Sequence, residues 1–168
     1  MKSALPPLAA SLSQHELQTM AYTDPLTGLG NRYRLRDKVR QLAADRAADP
    51  APFTIAIANL DGFKPINDLF GSEAGDEILC QVAHRLKACV PDGATVTRHD
   101  GDEFAFVLPL IFERSGAEKI GQMMREVLSA PYDLGDRNVR LSAAFGFAVY
   151  PFAGEEFDDL LKSAETAL

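Results

Sequence analysis

Two spacings of apolar residues alternate along the chain and predict an α+β fold. A spacing of three and four residues, typical of one face of a helix, occurs in four segments. These faces consist of Leu35, Val39, Leu42 and Ala43, of Leu79, Val82, Leu86 and Val90, of Ile120, Met123, Met124, Val127 and Leu128, and of Phe157, Leu160, Leu161, Ala164 and Leu168. Apolar or alternating runs of strand length lie at 53–60, 94–98, 104–108 and 139–150. The order helix, strand, helix, hairpin, helix, strand, helix indicates a mainly antiparallel central sheet flanked by helices.

Proline and glycine mark the boundaries of these elements. Asp49-Pro50 is expected to end the first helix, and the segment 61–65 (DGFKP) is expected to have an irregular backbone. Residues 1–22, with a short lead-in at 8–20, are interpreted as an N-terminal connector that is partly helical. Residues 23–168 are interpreted as one globular domain. Because the final helix reaches the last residue without a capping residue, we expect the domain to be truncated within that helix.

Length, charge and cysteine positions limit the class of protein. A chain of 168 residues fits one domain with a substantial core. The net charge of −7 argues against a non-specific nucleic-acid surface, but a metal could still hold a nucleotide triphosphate. There is no run of eighteen apolar residues for a membrane span and no secretory signal. Cys80 and Cys89 would lie about 13 Å apart on one helix, too far for a disulfide, so we expect a reduced cytoplasmic protein.

The segment 100–104 (DGDEF) carries the most unusual chemistry, because it places three carboxylates within four positions. It lies between two strand-like runs, so a β-hairpin turn is predicted. Crowded carboxylates repel each other unless a cation is bound, which favours a divalent-metal site. A solvated Asp-Gly turn explains the same five residues, and both interpretations stay open. If the strand at 53–60 lies beside the hairpin, Asn59, Leu60 and Asp61 come close to this turn.

Several ordered segments resemble the signature motifs of the GGDEF family of diguanylate cyclases. They are DPLTGLGNR at 24–32, NLDGFKPIND at 59–68, GSEAGDEIL at 71–79, RHDGDEF at 98–104 and the strand at 142–151. The resemblance spans residues 21–168 and implies a ferredoxin-like, nucleotide-cyclase palm fold. It also implies a cytoplasmic domain of cyclic di-GMP signalling. Active members condense two GTP molecules to cyclic di-GMP across a homodimer and use Mg²⁺ or Mn²⁺.

The resemblance implies a role for each motif residue on the nucleotide side. Asn67 and Asp76 match the positions that read the guanine edge, and the backbone near Phe63 and Lys64 matches a phosphate-binding segment. An amide and a carboxylate suit guanine, because its edge offers both acceptors and an N1/N2 donor pair. Taken alone, Asn67 could instead cap a helix, and Lys64 could be an ordinary surface lysine.

The resemblance assigns the catalytic and metal-binding roles to the hairpin and the end of the strand at 53–60. Asp102 and Glu103 match the acidic pair that ligates metal and assists deprotonation. The backbone of Leu60 and the side chain at Asn59 match further metal-ligand positions. Gly101 would let the backbone approach the phosphates. Phe104 is more simply explained as core packing.

Two residues depart from the family pattern at this site. Asn59 replaces an aspartate ligand, so metal affinity should fall. Asp100 replaces the first glycine of the motif and adds a side chain and a negative charge. Asp100 could hinder the substrate or could replace the charge lost at Asn59. An aspartate tolerates a positive φ better than most residues, so the turn itself need not suffer.

Two further motifs of the family, both of which contain positively charged residues, are not found in this sequence. Pro91 and Ala94 stand where the R-x-x-D product-inhibition motif belongs, so that site should be absent. The family's C-terminal phosphate-binding Lys and Arg would follow Leu168.

We therefore expect a degenerate GGDEF domain that binds GTP as a regulatory module, with weak or no cyclase activity. An active diguanylate cyclase and an interaction domain without nucleotide are the two alternatives. An upstream sensor and a downstream domain, of the EAL phosphodiesterase type, are the expected neighbours. No nucleic-acid or membrane contact is expected.

Overall fold

A four-stranded antiparallel sheet with the strand order β2-β3-β1-β6 forms the centre of the molecule. The computed structural model describes residues 12–45 and 51–168. The strands of this sheet are β1 (Phe53–Asp61), β2 (Thr95–Asp100), β3 (Glu103–Leu108) and β6 (Ser142–Tyr150), and a separate ribbon pairs β4 (Tyr132–Asp133) with β5 (Asn138–Val139). The helices are α1 (Gln14–Tyr22), α2 (Arg32–Asp45), α3 (Phe63–Phe70), α4 (Ser72–Cys89), α5 (Arg114–Ser129) and α6 (Phe157–Thr166). The predicted α+β class, with a mainly antiparallel sheet flanked by helices, is confirmed.

Strand β1 is apolar along most of its length because both of its faces are buried. Ala56, Ala58 and Leu60 belong to a core that includes residues of α4 and α5, whereas Ile55 and Ile57 belong to a second core on the opposite face. The second core is completed mainly by residues of α2 and α6. A continuous apolar run is therefore expected here rather than strict alternation. Strand β1 pairs with β3 on one side and β6 on the other, so it fixes the register of the sheet.

The predicted irregular backbone at 61–65 is wrong beyond its first residues. Only Gly62 adopts a left-handed conformation, with φ of 81°, and α3 begins immediately afterwards at Phe63. Pro65 lies in the first turn of this helix, where its missing N–H has no intrahelical partner to lose. The proline therefore marks a helix start rather than a loop.

Two other predicted elements differ in their bounds, and one predicted helix differs in which residues it buries. The β segment predicted at 139–150 is interrupted, because Val139 pairs with Tyr132 in the small ribbon and β6 begins at Ser142. The last helix ends at Thr166, and Leu168 lies exposed beyond it. Of the two methionines predicted to lie on the apolar face of α5, Met124 is fully buried and Met123 is exposed.

Two predictions concern segments that are only partly described. The expected end of the first helix at Asp49-Pro50 lies outside the described residues. The described part of the N-terminal lead-in contains α1, which begins with a capping box in which Ser13 and Glu16 exchange side-chain and backbone hydrogen bonds. Among residues 12–45 and 51–168, no helix combines the length and apolar character needed to cross a bilayer.

Gly146 allows α6 to pack directly onto the sheet. A Cβ at this position of β6 would lie 2.0 Å from the carbonyl oxygen of Ala164 in α6. That atom belongs to the backbone, so it cannot move aside as a flexible side chain could. The close contact therefore requires glycine.

We expect Gly146→Ala to lower the free energy of unfolding by about 3 kcal/mol, because the helix must be displaced from the sheet. Urea unfolding followed by circular dichroism measures this change. Gly116→Ala in α5 is the matched control, since its new Cβ would meet only the Cγ2 methyl of Ile111 at 3.3 Å. The control should change stability by no more than about 1 kcal/mol. Equal stability of the two variants would contradict the contact.

Candidate nucleotide and metal site

The three carboxylates of the 100–104 segment surround the turn between β2 and β3. Asp100 pairs with Glu103, and Gly101 and Asp102 form a two-residue loop between them. Gly101 has φ of 44°, at the first loop position, where a type II′ turn requires glycine. The described residues include no non-glycine residue with positive φ. Asp100 therefore does not use the left-handed tolerance that the sequence suggested for it.

The end of β1 lies beside this turn, as the sequence predicted. Asn59 is the cross-strand partner of Glu103, and its Nδ2 donates a hydrogen bond to Glu103 Oε1 at 3.1 Å. The amide of Leu60 donates to the carbonyl of Asp102 at 3.2 Å. Asp61 lies next to β6 instead, where its carboxylate accepts a hydrogen bond from Ser142 at 3.0 Å.

The Asn59–Glu103 hydrogen bond determines the electrostatics of this corner. An ionised carboxylate only accepts hydrogen bonds, so the asparagine must present its NH₂ group to Glu103. One carboxylate oxygen of Glu103 is thereby satisfied by a neutral donor. An aspartate at position 59 would instead face Glu103 as a like charge and would need a cation between them.

A charged pair connects the turn to the first motif. Arg98 Nε donates to the carbonyl of Gly101 at 2.8 Å, and its guanidinium lies 3.3 Å from Asp24 Oδ1. Asp24 also accepts hydrogen bonds from the backbone and hydroxyl of Thr27 at 2.9 and 2.7 Å. Burial acts to raise the pKa of Asp24, but the bonds from Thr27 and the charge of Arg98 outweigh it and lower the pKa below its usual value. Arg98 therefore connects the loop at Gly101 to the segment that contains Asp24.

His99 is the extra residue of a β-bulge between the paired positions 98 and 100. Its Nδ1 is buried and has no hydrogen-bond partner among the described residues. Burial, with the nearby charge of Arg32, lowers the pKa of His99, although the carboxylates of Glu103, Glu165 and Asp100 act in the opposite direction. His99 is therefore neutral at neutral pH and adds no positive charge to the corner.

The predicted nucleotide-binding residues lie on α3 and α4. Phe63 is buried at the first position of α3, and Lys64 is exposed. The first N–H groups of a helix have no intrahelical partner, so this end of α3 can donate hydrogen bonds to an anion. Asn67 is half-buried in the middle of α3, which rules out the helix-capping role that its sequence context allowed. Asp76 is exposed in the second turn of α4.

Sequence reasoning did not identify two contributors to the site. The Asp24–Arg98 pair joins residues 74 positions apart, and no local pattern signals such a contact. Gly75 contacts Asn67 so closely that a Cβ would lie 1.8 Å from the amide oxygen.

Phe104 is fully buried in the core, which confirms the packing role predicted for it.

Comparison with known proteins identifies the family. The profile described as "Diguanylate cyclase, GGDEF domain" matches residues 21–168. The chain belongs to the GGDEF family. It is thus a GGDEF domain of cyclic di-GMP signalling with the nucleotide-cyclase palm fold predicted from its motifs.

Three similar proteins illustrate this membership. The chain is 35% identical over 163 residues to the bifunctional diguanylate cyclase/cyclic di-GMP phosphodiesterase MucR of Pseudomonas aeruginosa, covering 96% of this chain and 24% of MucR. It is 32% identical over 152 residues to the cyclic di-GMP phosphodiesterase NbdA of the same organism, covering 90% and 19%. The crystal structure of the GGDEF domain of YfiN (TpbB) from P. aeruginosa superposes with a TM-score of 0.79 at 30% identity, covering 84% of this chain and 88% of that one. The chain spans about a quarter or less of the two full-length relatives.

The donor atoms at the hairpin fit a divalent ion poorly. Cyclases of this family generally use divalent metal ions. Within the described part of the chain, no group of three or more Asp, Glu, His or Cys side chains is arranged to hold one. Asp102 and Glu103 are the acidic ligands that the motif predicts, and Glu103 already accepts a hydrogen bond from Asn59. A hard cation prefers several charged oxygen ligands, so this set predicts weak binding.

We expect Asp24→Asn to lower the free energy of unfolding by about 1.5–3 kcal/mol at pH 7, because Arg98 loses a charged partner. The folded state lowers the pKa of Asp24 from 3.8, so the ionised carboxylate stabilises the protein above that value, and this stabilisation is lost as the pH falls through the lower folded pKa. The difference between wild type and variant should therefore shrink below about pH 4. Urea unfolding at pH 7 and pH 3 measures it.

Asp158→Asn is the control for this experiment. Asp158 pairs with Arg32 at 3.9 Å, and its side chain is 87% exposed, so the loss should be within about 1 kcal/mol. A pH-independent effect of Asp24→Asn would contradict the charged pair.

Proposed function

We propose that this GGDEF domain binds GTP as a regulatory module and has weak or no diguanylate cyclase activity. The observation that carries the proposal is the hydrogen bond from Asn59 to Glu103, which gives a neutral partner to the carboxylate that the family pattern uses with metal. In-line phosphoryl chemistry depends on positioning and on neutralising charge at the phosphates. A site that has replaced a charged metal ligand by an amide lacks much of that neutralisation.

The charge balance of the hairpin supports weak catalysis. Asp100 and Glu103 lie opposite each other across the strands, and Asp102 lies between them in the loop. Arg98 is the nearby cation of β2, but its guanidinium is engaged with Asp24 and the carbonyl of Gly101. The triphosphate would therefore approach three carboxylates with little compensation, which costs Coulomb energy.

The two residues that match the guanine-reading positions of the motifs support the proposed GTP binding. Asn67 and Asp76 lie on neighbouring helices, and the side chain of Asn67 makes no hydrogen bond to another described residue, so its amide can bind a ligand. The N-terminus of α3 can contribute backbone donors at Phe63 and Lys64 to phosphate oxygens, as the motif implies. Gly101 leaves its loop without a Cβ where the phosphates would approach.

An active diguanylate cyclase is the second candidate, and the position of Asp100 favours it. Asp100 is exposed at the open end of the hairpin, directly opposite Glu103, so its carboxylate could replace the charge lost at Asn59. In that case Asp102, Glu103 and Asp100 would share Mg²⁺ or Mn²⁺, with the backbone of Leu60 as a further ligand. An interaction domain that binds no nucleotide is the third candidate.

We also propose the wider setting that the motifs imply. The domain would occupy residues 23–168 behind a connector at 1–22 and would act in the cytoplasm, with a homodimer as the form required for any cyclase activity. An upstream sensor and a downstream phosphodiesterase domain of the EAL type are the proposed neighbours. The phosphodiesterase names of MucR and NbdA support the second of these.

We expect the full-length natural protein to form little or no cyclic di-GMP from GTP with Mg²⁺ or Mn²⁺. The double variant Asn59→Asp with Asp100→Gly restores the family pattern and should raise the rate by at least about tenfold. Chromatographic quantification of cyclic di-GMP measures both proteins. Asp100→Gly alone separates the candidates, since the regulatory proposal predicts no loss of activity and the active-cyclase candidate predicts a loss. Substantial wild-type activity would contradict the proposal.

We expect GTP, and not ATP, to raise the Tm of the protein and to give a measurable Kd by calorimetry. Asn67→Ala should weaken GTP binding by roughly tenfold, because one hydrogen-bonding group is lost. Asn138→Ala is the matched control, since Asn138 is an exposed asparagine of β5. Absence of both heat and stabilisation with wild type would favour the interaction domain instead.

A further inference from the structure

Gly75 of α4 lies directly beneath the side chain of Asn67 in α3. A Cβ at Gly75 would stand 1.8 Å from Asn67 Oδ1, 2.9 Å from its Cγ and 3.2 Å from Phe63 Cζ. Gly75 is buried, and α3 and α4 are joined only by Gly71, whose amide donates to the carbonyl of Asn67. The asparagine side chain therefore fills the space that any other residue at position 75 would occupy.

This contact also fixes which way the carboxamide faces. Its oxygen is directed at the Cα of Gly75, where a Cα–H can act as a weak donor to an oxygen but not to an NH₂ group. The NH₂ group is not among the three atoms nearest to this position, so it does not share the close contact with Gly75. Since no described residue bonds the Asn67 side chain, these two N–H donors are free to meet a ligand.

We propose that Gly75 is a positioning residue that sets the base specificity of the site by holding Asn67 with its NH₂ group toward the ligand. A base that presents an acceptor to Asn67, such as a 6-oxopurine, is then favoured over a 6-aminopurine, which would present a donor. A buried donor without an acceptor costs binding energy. The orientation of Asn67 would therefore both favour a 6-oxopurine and disfavour a 6-aminopurine. This inference rests on the proposed GTP binding.

A stability cycle tests the contact without any nucleotide. Gly75→Ala should lower the Tm, because the new methyl group cannot coexist with the Asn67 carboxamide. In an Asn67→Ala background the same change should lower the Tm much less, since only the 3.2 Å contact with Phe63 Cζ remains and alanine is favoured over glycine inside a helix. Gly116→Ala, an α5 glycine far from Asn67 in sequence, is the control and should be unaffected by Asn67→Ala. Equal losses from Gly75→Ala in both backgrounds would overturn the contact.

Nucleotide-binding measurements on the single and double variants test the role of Gly75 in base specificity. For wild type, calorimetry should show tighter binding of GTP and inosine triphosphate than of ATP. Gly75→Ala should weaken the binding of GTP and of inosine triphosphate by the same factor, roughly tenfold, while the affinity for ATP changes little. The double variant with Asn67→Ala should bind GTP no more weakly than Asn67→Ala alone, because both changes remove the same interaction.

The possible failures are distinguishable. Wild type that binds no GTP contradicts the proposed function and, with it, the role of Gly75 in base recognition. Wild type and Gly75→Ala that bind GTP equally well, with unchanged preference over ATP, overturn this inference alone. Gly75→Ala that weakens GTP and ATP by the same factor shows a general disturbance and also overturns it.

Discussion

The burial of β1 on both faces is the constraint on which the rest of the structure depends. Because two separate cores need this strand, its register with β3 and with β6 cannot slip without exposing one of them. That register places Asn59 opposite Glu103 and the amide of Leu60 beside Asp102. The chemistry at the end of the strand is therefore located by hydrophobic packing some distance away.

The Asn59–Glu103 hydrogen bond shows how such a corner can be stable without a cation. In a cluster of carboxylates, folding must offset repulsion, and a bound metal is one way of doing so. An amide in place of one carboxylate removes a charge and donates a hydrogen bond in the same step. Such a corner needs no cation to offset the repulsion, and the charge that is absent is one that the family pattern places near the phosphates.

Sequence reasoning predicted the elements and the meeting of β1 with the hairpin, because these depend on periodicity and on antiparallel topology. It misplaced the start of α3, since glycine and proline signal a break equally well before a helix and within a loop. It placed Asn59 beside the hairpin but did not predict its hydrogen bond to Glu103, the Asp24–Arg98 pair or the contact between Gly75 and Asn67. Each of these contacts depends on how two elements pack against each other. The local sequence around either residue therefore contains no pattern that predicts the contact. The motifs identified candidate residues, whereas the contacts between them are visible only in the structure.

The two halves of the site depend on different contacts and share no side chain. The predicted metal half lies on β1 and the hairpin, with Asn59, Glu103 and Asp102, while the proposed base half lies on α3 and α4, with Asn67 and Gly75. Phe63 links the halves only as a buried residue of the common core. Loss of a charge in the first half leaves the steric fit of the second unchanged. The proposed loss of catalysis therefore does not conflict with the proposed binding of GTP, because the two depend on different side chains.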